Sequence, residues 1–158
     1  MLDPPHIAQT TRQPAAVLRL TIPRADIRKV MGPGYGEVMA AVAAQGLAPA
    51  GPWFTHHLRM DPAIFDFEIG VPVPKPIAPT GRVNAGHLPA VTVAQTVYRG
   101  PYEGLGSAWG EFEAWIRAEG HEPGSEFWER YVTGPESGAE PEAFRTELNR
   151  PLIRVRGS

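Results

Sequence analysis

The chain has 158 residues, of which 42% are hydrophobic and 20% charged, the ordinary composition of one globular domain. Its formal net charge of −2, with scattered basic residues, argues against direct nucleic-acid binding, and no apolar run approaches the ~18 residues that cross a bilayer. Zero cysteines exclude disulfides and thiolate metal sites, and the N-terminal residues lack a signal-peptide pattern, so we expect a cytoplasmic protein with no membrane partner.

The first half of the chain predicts an arm followed by a strand, a helix and two strands. Residues 1–14 are polar and contain prolines, which predicts a loose N-terminal arm. Gly32-Pro33-Gly34 predicts an irregular turn before the helix. The predicted elements are a strand over 15–22, a helix over 35–45, paired strands over 52–59 and 64–72, and a turn at Met60-Asp61-Pro62-Ala63.

The second half predicts the same order of elements. Residues 73–89 contain four prolines and two glycines, which indicates a linker with at most a short extended piece. The elements after it are a strand over 90–99, a turn at Gly100-Pro101, a helix over 104–119 and strands over 127–133 and 144–155. The loop between the last two strands is rich in Gly, Pro and Glu, and it is longer than its counterpart in the first half.

The sequence itself is duplicated. Gly36-Glu37-Val38-Met39-Ala40 returns 74 positions later as Gly110-Glu111-Phe112-Glu113-Ala114, and Phe65-x-x-Glu68-Ile69 matches Phe144-x-x-Glu147-Leu148. Each copy predicts a β-α-β-β unit. We therefore predict an α+β fold with pseudo-twofold symmetry, in which an antiparallel sheet carries helices on one face and a ligand groove on the other. The predicted domain spans 15–155, with repeat one at 15–73, a linker at 74–89 and repeat two at 90–155.

Strand alternation selects the candidate binding residues. Phe65, Phe67 and Ile69 share one face of their strand, which predicts a core face, while Glu68 points the other way. The repeat places Glu147 at the equivalent position, so both carboxylates are expected on the groove face. Acids among aromatic residues suit a cationic or aromatic ligand, although a solvated sheet face also carries glutamates.

Further residues are assigned to the groove from the neighbouring strands and turns. We predict that Glu129 and Tyr131 face the groove. The equivalent strand then presents Trp53, Thr55 and His57, although alternation alone leaves open whether Trp53 or Phe54 reaches the groove. Tyr98 and Tyr102 flank the turn at the predicted mouth of the groove.

No metal or cofactor site is predicted. His56 and His57 are adjacent in a strand and point to opposite faces, so they cannot chelate one ion together. Gly32-Pro33-Gly34-Tyr35-Gly36 lacks the Lys-Ser/Thr of a phosphate loop, and no Gly-x-Ser-x-Gly nucleophile motif occurs.

The sequence resembles the GyrI-like proteins, whose fold is shared with effector-binding domains of AraC-type and MerR-type multidrug regulators. The resemblance rests on Tyr98-Arg99-Gly100-Pro101-Tyr102-Glu103-Gly104-Leu105 with Trp109 and Trp115, and on Phe144-x-Thr146-Glu147-Leu148-x-x-Pro151. It covers residues 12–154 and implies two pseudo-symmetric β-α-β-β units that bind small, often aromatic or cationic molecules. It also implies a glutamate as a ligand contact, at Glu147 and by symmetry Glu68.

The resemblance leaves three functions open. Residues 1–14 are too short for a helix-turn-helix, so we expect a free-standing member that binds a small molecule without touching DNA. Some free-standing members are similar to hydrolases of cyclopropane-containing molecules that use an acid and a tyrosine, which implies Glu147 and Tyr131 here. A third possibility is a module that engages a protein partner, as gyrase inhibitors do.

Overall fold

The computed structural model describes residues 1–59 and 61–156. These residues form two compact units: residues 11–90, here the first-repeat unit, and residues 1–10 with the chain from residue 91 onward, here the second-repeat unit. No helix in the described ranges is both long enough and apolar enough to span a membrane. In chain order the elements are β1 (His6–Gln9), β2 (Gln13–Pro23), α1 (Ile27–Ala44), β3 (Phe54–Arg59), β4 (Ile64–Pro72), β5 (Val83–Leu88), β6 (Thr92–Arg99), α2 (Leu105–Ala118), β7 (Glu122–Pro123), β8 (Phe127–Thr133) and β9 (Arg145–Arg154).

The first-repeat unit packs α1 on one face of an antiparallel sheet whose strand order is β5-β2-β4-β3. Val38 and Val42 of α1 are fully buried against Phe67 and Ile69 of β4. These strand residues alternate with polar ones, so one face of β4 is apolar and attracts the apolar stripe of the helix. The core face predicted for β4 is therefore confirmed.

The second-repeat unit has the same plan, with α2 on an antiparallel sheet of order β1-β6-β9-β8 and the short β7 beside β9. Phe112 and Ile116 of α2 are fully buried with Leu148 of β9. The first, third and second strands of each β-α-β-β unit lie side by side in both units. The predicted α+β fold with duplicated β-α-β-β units is confirmed.

The N-terminal segment is not a loose arm. Residues His6–Gln9 form β1 and pair with β6, the Asp3 amide donates to the Val97 carbonyl at 2.9 Å, and Asp3 accepts two hydrogen bonds from Arg99. Gln13 already begins β2, and part of the predicted linker, Val83–Leu88, forms β5 on β2. Local composition could not reveal these strands, because their partners lie more than 60 residues away in the chain.

Helix α1 also differs from its prediction, since it begins at Ile27 and includes Pro33. A proline this far into a helix removes one backbone hydrogen bond, and tertiary packing tolerates that loss here. Gly34 belongs to the buried side of α1 and touches Ile69, where a Cβ atom would overlap the Ile69 side chain. The glycine-proline motif therefore brings the helix close to the sheet. The following turn was predicted at residues 60–63, of which Met60 lies outside the described residues; the Asp61 carboxylate accepts the amide hydrogens of Ala63 and Ile64.

Glycine at position 70 is required by the ring of Phe54. Phe54 is fully buried and lies opposite Gly70 in the sheet, and an added Cβ would overlap three atoms of the rigid ring. We expect Gly70→Ala to lower the free energy of unfolding by about 1–3 kcal/mol through overpacking. Gly36→Ala is the matched control, because nothing lies within 4 Å of its added Cβ. That change should raise stability by up to about 1 kcal/mol through helix propensity. Urea unfolding measures both values, and a Gly70→Ala protein as stable as the parent would contradict the expectation.

Candidate ligand-binding site

The register of β8 on β9 decides which side chains of β8 face the helix. Glu129 lies opposite Leu148 and Tyr131 lies opposite Thr146, whereas Arg130 lies opposite Glu147. Directly opposite residues share one face of a sheet. Since Leu148 belongs to the core under α2, Glu129 and Tyr131 lie on the helix-covered face. The prediction that these two residues share the face of Glu147 is wrong.

The same correction applies to β3. Thr55 lies opposite Ile69 and His57 opposite Phe67, both in the core under α1, and Trp53 packs against that core with its ring 4.6 Å from Tyr35. Trp53, Thr55 and His57 therefore face the helix rather than the opposite side. Strand alternation groups residues correctly but does not assign the group to a face, and both groups here contain aromatic residues.

The structure places the two predicted glutamates on the sheet faces turned away from the helices. The Arg130 guanidinium donates to both oxygens of Glu147 at 2.9 and 3.1 Å, and the Asn149 amide donates to one of them. Glu68 lies beside His56, with 3.8 Å between Oε1 and Nδ1, and burial raises its pKa. Glu147 and Tyr131 lie on opposite faces of one sheet, so they are not brought together as an acid–tyrosine pair. Ligand contact by either glutamate stays a prediction.

Glu129 is a buried acidic side chain of the second-repeat unit. The indole nitrogen Nε1 of Trp109 donates to Oε2 at 2.6 Å, and the Tyr131 hydroxyl donates to Oε1 at 2.8 Å. Burial raises the pKa of this carboxyl, and the two hydrogen bonds offset only part of that effect. Within the described part of the chain, no basic side chain forms an ion pair with Glu129. A buried carboxylate without a countercharge is unfavourable, and a ligand cation can supply that charge.

Aromatic rings surround this carboxylate. The Trp109 ring lies 4.7 Å from Phe127, and the Tyr102 ring lies 5.8 Å from Tyr131 and 5.1 Å from Phe144. Burial raises the pKa of Tyr102 to about 12, with smaller contributions from Glu136 and Glu129. The result is an acidic group in an aromatic setting, which is the chemistry expected for a cation site.

Tyr98 has a different position from Tyr102. It lies in the core under α2, and its hydroxyl donates to the Pro101 carbonyl at 2.9 Å, in the turn before α2. Trp109 entered the sequence analysis only as part of the family resemblance, and its hydrogen bond to Glu129 was not predicted. The only signal in the sequence was the Glu129-x-Tyr131 spacing, which places both side chains on one face of the strand without showing that this face meets the helix that carries Trp109.

Glu129 predicts a measurable pH effect on stability. A raised carboxyl pKa contributes stability below the usual value of 4.5, and that contribution is lost as pH rises through the folded-state pKa. We therefore expect Glu129→Gln to gain stability relative to the parent as pH rises above about 4.5. Urea unfolding over a pH series measures this difference. Exposed Glu119→Gln is the control and should show no such trend; a constant difference between parent and Glu129→Gln would contradict the raised pKa.

Comparison with known proteins identifies the family of this fold. The GyrI-like small molecule binding domain matches residues 3–152. This match covers nearly the whole chain, so the protein belongs to the GyrI-like family. No curated protein matches it.

Solved structures share the fold. The chain superposes on EcmrR in a DNA complex with a TM-score of 0.82 and 21% identity, covering 96% of this chain and 58% of that one. The isolated EcmrR C-terminal domain gives the same values with 98% of its length covered. SAV2435 bound to tetraphenylphosphonium gives a TM-score of 0.72 and 14% identity over 95% of this chain and 94% of that one. A hydrolase from Listeria innocua gives a TM-score of 0.64 and 14% identity, covering 94% of this chain and 91% of that one. The chain thus spans just over half of the EcmrR chain.

Proposed function

We propose that this protein is a cytoplasmic binding protein for organic cations that carry aromatic groups. The observation that carries the proposal is the buried Glu129 carboxylate, held by Trp109 and Tyr131 without a basic partner in the described residues. The family is described as small-molecule binding, and SAV2435 has been solved with the cation tetraphenylphosphonium, which supports the ligand class.

Electrostatics and desolvation together explain why a cation would be selected. A carboxylate removed from water attracts a positive charge more strongly than one at the surface, because the surrounding medium screens less. The rings of Trp109 and Tyr102 offer faces that attract cations without demanding one ligand shape. The site therefore suits several flat or bulky cations rather than a single metabolite, which is the property of a multidrug-binding domain.

Titration calorimetry with tetraphenylphosphonium tests the proposal. Triphenylphosphine oxide is the control ligand, since it retains three of the phenyl groups without the charge. We expect the cation to bind at least about 10-fold more tightly than the neutral compound, a difference of ~1.4 kcal/mol. Equal affinity for the two compounds, or no binding of the cation, would contradict a carboxylate-centred cation site.

DNA binding is not part of the proposal. EcmrR has been solved in complex with DNA, but this chain spans 58% of that protein. The net charge of −2 provides no electrostatic basis for binding phosphate backbones directly. The proposed direct partner is a small molecule.

A hydrolase is the second candidate, with Glu129 in the role that the resemblance gave to Glu147. The supporting observation is the 2.8 Å hydrogen bond between the Tyr131 hydroxyl and the Glu129 carboxylate. A carboxyl with a raised pKa can act as a general acid or base, and a tyrosine can stabilise a developing negative charge. Mass spectrometry of a strained electrophilic compound after incubation tests this candidate. Hydrolysed product that disappears in Tyr131→Phe would support an enzyme, whereas recovery of intact compound would favour binding alone.

A further inference from the structure

A second carboxylate, that of Glu136, and the Tyr102 hydroxyl both lie beside Gly134 in the loop between β8 and β9. We propose that this pair recognises a second positive charge on the ligand, so that the protein prefers organic dications over monocations of the same ring system. The inference rests on the proposed function, because it places the first charge at Glu129.

Both groups lie close to Gly134. A Cβ atom built there would lie 2.6 Å from the Tyr102 hydroxyl oxygen and 2.9 and 3.0 Å from the two carboxylate oxygens of Glu136. The backbone at Gly134 is extended and would accept other residues without strain. The hydroxyl and the carboxylate therefore both pack against Gly134, and a side chain at this position would displace them.

Two hydroxyls in this region lack hydrogen-bond partners among the described residues. The Tyr102 oxygen is buried and unpartnered, and so is the hydroxyl of Thr146, a fully buried residue. Thr146 lies directly opposite Tyr131, whose ring Tyr102 contacts, so both hydroxyls belong to the face that carries Glu129. An unsatisfied buried hydroxyl is unfavourable, and a polar group of a ligand would give it a hydrogen-bond partner.

The two carboxylates differ in their surroundings. Glu129 is buried, whereas Glu136 is exposed on the 3-10 turn Pro135–Ser137. Tyr102 lies close enough to both that each raises its pKa. A ligand with a cationic ring at Glu129 and a cationic arm toward Tyr102 would engage both acids. Because Glu136 is exposed, its contribution is smaller and is reduced by salt.

Ethidium and propidium test the inference, since they share one cationic ring system and propidium adds a quaternary ammonium arm. We expect the parent protein to prefer propidium. Glu136→Gln should lower that preference about 3- to 10-fold at low salt and leave ethidium affinity within about twofold. Gly134→Ala should lower the preference for propidium too, because the added methyl group displaces the Tyr102 hydroxyl and the Glu136 carboxylate while the charge remains. Exposed Glu142→Gln, in the same loop, is the control and should change neither affinity.

The outcomes separate the inference from the proposed function. If Glu136→Gln lowers the affinity for both dyes equally, or for neither dye, while Glu129→Gln still lowers the affinity for both, the inference is wrong and the cation site at Glu129 remains supported. If neither dye binds the parent protein, the proposed function and the inference both fall. Loss of the propidium preference in Glu136→Gln and Gly134→Ala, but not in Glu142→Gln, would support the inference.

Discussion

Replacing Glu129 with glutamine should lower the affinity for tetraphenylphosphonium by about 10- to 100-fold at a pH above the pKa of the Glu129 carboxyl, or ~1.4–2.8 kcal/mol. Glutamine has nearly the same shape and can still accept one hydrogen bond, so the change removes mainly the negative charge. The loss should be large because the carboxylate is buried beside Trp109 and Tyr131, where water screens the charge weakly. Titration calorimetry on parent and variant at one ionic strength measures the difference.

The pH dependence gives this prediction an independent readout. Ionised Glu129 is the form that attracts a cation, and burial raises its pKa. The parent's affinity should therefore increase as pH rises through that pKa, while the affinity of Glu129→Gln should stay flat. A variant with reduced affinity but an unchanged pH profile would indicate a structural effect rather than loss of the charge.

Parallel variants decide between the two faces of the sheets. Glu147→Gln and Glu68→Gln test the ligand contacts predicted from the sequence, and exposed Glu119→Gln serves as the control for a lost surface charge. We expect the largest loss from Glu129→Gln. A larger loss from Glu147→Gln or Glu68→Gln would move the site to the faces turned away from the helices.

Acid should destabilise the protein through His57. Burial lowers the pKa of His57 from 6.5 to about 4, with smaller contributions from His56 and Arg24. The ring stacks on Phe67 at 5.2 Å and meets Phe65 edge-on at 5.3 Å. The unfolded chain therefore takes up a proton that the folded protein excludes. The contribution of neutral His57 to stability is fully present above pH 6.5. The free energy of unfolding falls by about 3 kcal/mol as pH drops toward 4.

His57→Phe should remove this part of the acid sensitivity, because phenylalanine keeps an aromatic ring and does not titrate. Urea unfolding between pH 7 and 4 should show the parent losing about 3 kcal/mol more than the variant over that interval. Exposed His87→Gln is the control and should leave the slope unchanged. Equal slopes in parent and His57→Phe would show that His57 titrates normally in the folded protein.

Much of the fold was predictable because its signals are local or repeated. The strand over Phe127–Thr133 was predicted with its observed bounds, and helix α2 to within one residue at each end. The duplication linked Glu68 with Glu147, and the structure places both at equivalent strand positions. The exceptions were β1 and β5, which form only because a partner strand is available, and the first turns of α1, where packing outweighs Gly32 and Pro33.

The sequence alone determined the α+β class, the β-α-β-β duplication and the grouping of side chains along each strand, because period and repeat are properties of the chain itself. Only the tertiary structure decided which group faces the helix, since that depends on strand register: Glu129 opposite Leu148 and His57 opposite Phe67. It also decided which side chains contact each acid. Arg130 neutralises Glu147, while Trp109 and Tyr131 hold Glu129 as a buried carboxylate. Contacts between residues distant in the chain set burial and charge balance, and no local pattern contains them.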